Sequence, residues 1–105
     1  MINNISYDIM SVNMKDQPRP ALTGAQIRAA RALLRWRAED LAKNSAVGVA
    51  TVRRAELAEG ATSMTAANDA AVRRALEAAG VEFIDQNGGG AGVRLRKAAP
   101  TKKAK

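Results

Sequence analysis

The stretch from Ala38 to Leu57 leaves the chain few ways to fold. A short helix reads over residues 38–44, with Glu39 and Asp40 in its first turn, where the helix dipole favours acids, and with Leu41 and Ala42 facing inward. Ser45-Ala46-Val47-Gly48 then breaks the helical period, and Gly48 is placed to open another helix over residues 49–58, with Val52 and Ala55 inward and Gly60 just beyond its end. Two helices joined by so short a turn must cross steeply. Ala42 is small where the second helix passes close to the first, and Val47 and Val52 fill the space between them. This packing makes the second helix stand out from the body, in the arrangement that lets a helix enter a DNA major groove.

The flanking sequence supplies a bundle for this unit. Thr23 and Gln26 form a capping box, after which Ile27, Ala30, Leu33 and Leu34 recur at helical spacing while Arg28, Arg31 and Arg35 hold the polar side. Trp36 follows, in position to pack against the next element. Thr65 caps a fourth helix whose stripe is Ala71, Val72, Ala75, Leu76 and Ala79, with Gly80 just past its end. The period then changes. Residues 81–84 and 93–96 read as two short strands around a glycine-rich loop, which is a hairpin. That loop neither opens a helix nor ends in the Gly-Lys-Ser/Thr of a phosphate cradle, so it reads as a turn. Residues 1–20 have no periodicity and end in Gln17-Pro18-Arg19-Pro20, and the last residues hold Pro100 with repeated Lys and Ala. The expected fold is mainly α: a small four-helix helix-turn-helix bundle with a C-terminal β-hairpin and disordered termini. Its domain covers residues 21–80, with the hairpin over 81–97 part of the same unit, between a disordered arm (1–20) and a basic disordered tail (98–105).

Composition narrows the chemistry. The chain has no cysteine and no histidine, which removes disulfides, thiolate nucleophiles, zinc fingers and a histidine base together. Glu39 and Asp40 are adjacent and diverge on a helix, so they make no acid/base pair. The expectation is a protein that is not an enzyme, with no cofactor and no metal. No stretch is long and apolar enough to span a membrane, and the start lacks a basic region followed by an apolar run, so a cytoplasmic, nucleoid-associated location is expected. The net charge of +7 is unevenly spread: zero over residues 1–20, +3 over 21–60, −2 over 61–93 and +6 over 94–105. A basic excess in the helical middle and the tail favours polyanions through counterion release.

The run over residues 22–60, with IRAARALLRWRAEDLAKNSAVGVATVRRAE, resembles the Cro/repressor-type (XRE) helix-turn-helix family. The likeness continues through AAVRRALEAAGVEFI and GGGAGVRLR, similar to the ending of many short bacterial regulators, and covers roughly residues 22–97. The resemblance implies a small helical bundle, a recognition helix over 49–58, and a structural ion pair between Arg31 and Glu56. The turn position usually held by glycine in that family is Ala46 here, and Val49 and Ala50 stand where polar base-readers are common. On this reading the base-contacting residues are Val49, Ala50, Thr51, Arg53 and Arg54, with Val49 and Ala50 against thymine methyls and Thr51, Arg53 and Arg54 hydrogen bonding. Either arginine suits a guanine edge or a phosphate. Lys43, Asn44 and Ser45 at the turn, with Gln26 and Arg28 from the first helix, are the phosphate-contact candidates.

The expected partner is double-stranded DNA, bound by a homodimer on a palindromic operator, because one recognition helix reads only a few base pairs. The hairpin, through its edge strand, is the expected dimerisation element. A transcriptional repressor follows from the family resemblance alone. The alternative is a protein-binding module, such as the antitoxin of a toxin pair or an adaptor that sequesters another regulator, because an apolar recognition helix also suits a protein groove.

Overall fold

The computed structural model describes residues 19–97. Among the described residues four helices, α1 (Gly24–Leu34), α2 (Ala38–Ser45), α3 (Val49–Glu56) and α4 (Ala66–Ala78), precede an antiparallel hairpin of β1 (Val81–Ile84) and β2 (Gly92–Leu95). The protein is mainly α. The terminal segments expected to be disordered lie outside the described residues, except Arg19 and Pro20 of the arm. These two engage α4: Arg19 pairs with Glu77 at 3.1 Å, and Arg73 donates to the Pro20 carbonyl at 2.7 Å.

Each boundary has a local cause. Thr23 caps α1 by accepting from the Gln26 N–H, and Gln26 returns the bond to the Thr23 N–H, each at 3.0 Å. α1 ends at Arg35, which turns into the left-handed region at φ 59°. α2 ends the same way at Ala46, with φ 62°. Thr65 caps α4 through the Asn68 N–H, and Gly80 leaves that helix at φ 111°, where a side chain is disfavoured. The second strand begins at Gly92, one residue earlier than the hydrophobic pattern indicates, because the ladder pairs Ile84 with Gly92.

The core is built from Leu22, Ile27, Leu41, Val52, Val72, Leu76 and Val81, all fully buried, with Phe83 sealing the hairpin side. Each such aliphatic side chain contributes roughly 1.5–3 kcal/mol. The hairpin packs its Val81–Phe83–Val93 face on α1 and α4, while α3 packs on α1 and α2. Main-chain bonds tie the start of α1 to the α3–α4 connection, from the Gly24 N–H to the Gly60 carbonyl (3.1 Å) and from the Thr62 N–H to the Leu22 carbonyl (3.0 Å). Gly24 sits so close to the end of α3 that a β-carbon there would stand 2.5 Å from the Ala58 carbonyl oxygen. No helix among the described residues is long and apolar enough to cross a membrane.

Candidate nucleic-acid interface

The turn between α2 and α3 is held from within. The Ser45 hydroxyl donates to the Ala42 carbonyl (3.4 Å) and accepts from the Val47 N–H (3.2 Å), which places Val47 in the core. Gly48 then starts α3, its carbonyl accepting from the Val52 N–H at 3.1 Å. From that start the 3.6-residue period sends Val52, Ala55 and Glu56 inward and leaves Ala50, Arg53, Arg54 and Leu57 on the outer face. Val49 is half-buried against the core, so little of it is open to a ligand, and Thr51 is half-buried at the side of the helix.

The Arg31–Glu56 pair forms. Arg31 reaches the Glu56 carboxylate through Nε (2.5 Å) and a terminal nitrogen (2.8 Å), and its other nitrogen donates to the Trp36 carbonyl at 2.8 Å. The bond from the carboxylate raises the Arg31 pKa further above its ordinary value, against a smaller opposing effect of burial. One guanidinium thus fixes the end of α3, the end of α1 and the path into α2. Trp36 itself packs on the core. Arg28 adds a bond to the Glu56 carbonyl, so its side chain lies along the end of α3.

The two arginines of the outer face differ. Arg53 pairs with Glu39 of α2 at 2.5 Å, with both side chains about half exposed. Glu39 is held below the ordinary carboxylate range, first by its own main-chain N–H and then by Arg53. Arg54 makes one long bond to the Thr51 hydroxyl (3.4 Å) and borders a depression of about 190 Å³ lined by Thr51, Ser63, Met64, Thr65 and Asn68. The guanidinium, the hydroxyls and the capped first turn of α4 meet there, an arrangement that suits an anion. Of the residues around the depression, sequence marks only Thr65, as a cap; Ser63 and Asn68 carry no motif. Their position beside Arg54 comes from the packing of α4 and carries no sequence signal.

Two phosphate-contact expectations give way to internal roles. Gln26 is buried, and its amide is committed to the Thr23 N–H, the Gly92 carbonyl (3.1 Å) and the Ile84 carbonyl (3.4 Å), where it joins α1 to the hairpin. Ser45 is buried with its hydroxyl used inside the turn. Lys43 and Asn44 are exposed on the same side of the turn, Asn44 with its amide nitrogen on the Asp40 carbonyl at 2.8 Å. The surface the structure assembles is therefore Lys43, Asn44, Ala50, Arg53 and Arg54, with Thr51 and Ser63 at its margin.

Comparison with protein-family models and with curated proteins returned no match.

Proposed function

We propose that this chain is a sequence-specific DNA-binding transcriptional regulator, a repressor acting in the cytoplasm as a pair of copies on a palindromic operator. The observation that carries the reading is α3 itself. It is a short helix braced from behind by Arg31–Glu56 and presented on a tight turn, with Arg53 and Arg54 exposed on its outer face. In this reading α3 enters the major groove with Ala50 against a thymine methyl and Arg53 on a base edge. Arg54 and the depression beside α4 take a backbone phosphate, and Lys43 and Asn44 take another. The resemblance of residues 22–97 to Cro/repressor-type regulators supports the same function. Repression rests on that resemblance.

The test is binding of a duplex obtained by selection, measured for the wild type and for a double variant, Arg53→Ala with Arg54→Ala. Loss of specific affinity with an unchanged helical circular dichroism spectrum is the expected result. Unchanged affinity refutes the role of α3. A second reading, a protein-binding antitoxin or adaptor, draws support from Leu57, which is 80% exposed at the end of the same face. In that case Leu57→Ala impairs the chain's activity and the arginine pair does not.

A further inference from the structure

We propose that the outer edge of β2 receives an extended acidic segment of a partner protein as a third strand. The Arg96 N–H donates to the Gly80 carbonyl at 2.7 Å, so residues 80 and 96 are a hydrogen-bonded pair. Antiparallel ladders alternate, so Glu82–Arg94 and Ile84–Gly92 are hydrogen-bonded pairs as well. The N–H and C=O of Val93 and Leu95 therefore point away from β1. Among the described residues no other backbone group takes them up. α1 and α4 pack on the Val81–Phe83–Val93 face of the hairpin, and Leu95 on this edge is half exposed.

The side chains state what fits. Leu95 is 50% exposed, and Arg94, Arg96 and Lys97 are exposed around it. Glu82 is the one acid in the two strands, and it is already held by Arg94 at 3.1 and 3.2 Å. An incoming strand with apolar residues on the Leu95 side and carboxylates on the Arg94–Arg96 side matches both rows. DNA matches less well, because its backbone supplies acceptors only and leaves the Val93 and Leu95 carbonyls unanswered. The hairpin also packs chiefly on α1 and α4. A second copy brings a strand carrying the same three cations, which disfavours the hairpin edge as the dimer contact expected from sequence. The inference does not depend on the DNA-binding reading.

The experiment uses the full chain, labelled for amide resonances, and a short peptide alternating glutamate and valine, with its lysine–valine counterpart as control. Added acidic peptide should slow amide exchange at Val93 and Leu95. Leu95→Pro removes an outward N–H without touching a hairpin bond, so affinity should fall roughly fivefold or more while the Val81 and Phe83 resonances stay in place. Arg96→Glu should weaken the peptide as well. Four outcomes overturn the proposal: no protection at Val93 and Leu95, equal binding of the lysine peptide, self-association that Leu95→Pro abolishes, or duplex DNA in place of peptide perturbing those two amides.

Discussion

At Gly24 a β-carbon would meet three main-chain oxygens, those of Ala58 (2.5 Å), Ala55 (2.9 Å) and Glu56 (3.0 Å). None of these can swing aside, so α1 must move off α3. Gly24→Ala should lower stability by about 2 kcal/mol, read as a shift in the urea midpoint. Ala46 is the opposite case: its φ of 62° strains an alanine, and Ala46→Gly should raise the melting temperature, with a gain of up to about 1 kcal/mol. Arg31→Ala leaves the Glu56 carboxylate nearly buried without its partner, and should cost about 3 kcal/mol in the same unfolding assay. These three residues differ in how far sequence exposes them. Ala46 and Arg31–Glu56 were both legible through the family resemblance. Gly24 was not, because a close approach between segments over 30 residues apart leaves no periodic mark. Gln26 was half legible: its capping role follows from spacing, but its bonds to the hairpin required the third dimension.

At the scale of elements, the outer face of α3 is coupled to α2 through Glu39 and Arg53. In the proposed complex DNA must compete with Glu39 for the Arg53 guanidinium. Glu39→Gln should tighten DNA binding severalfold in a titration at fixed salt, with stability nearly unchanged because both groups are exposed. The sign of the pH effect follows from the lowered Glu39 pKa. The pair is intact above the ordinary carboxylate range and is lost as pH falls through the lowered value, which frees Arg53 only in acid. The helices and the hairpin were readable from period and caps, since Thr23, Thr65, Gly48 and Gly80 each act as their residue type dictates. Arg73 was not readable. It lies on α4 beside an alanine-rich stripe, yet it is buried, 5.5 Å from the Phe83 ring centre and bonded to Pro20. Together with Arg19 on Glu77 and the Leu22 N–H on Asp69 (2.9 Å), it holds residues 19–22 against α4.

At the scale of the molecule, charge is divided between the body and the C-terminal end, with +6 carried by residues 94–105. Removing residues 98–105 deletes three lysines, Lys102, Lys103 and Lys105. If each sits at a phosphate in the complex, the salt slope of DNA binding falls by about 0.9 per lysine while the preferred sequence stays the same. A changed preference would assign the tail a role in readout. In the proposed complex one short α3 spans only a few base pairs, so two copies are needed for useful specificity. The measurement that tests this most directly is selection of bound duplexes from a random pool with the full chain. Recognition through α3 by two copies predicts a palindromic motif with half-sites about 10 base pairs apart, centre to centre, or a multiple of that, and no enrichment with the Arg53→Ala, Arg54→Ala variant. A pool that stays random with the wild type, or the same motif enriched by the variant, would contradict it.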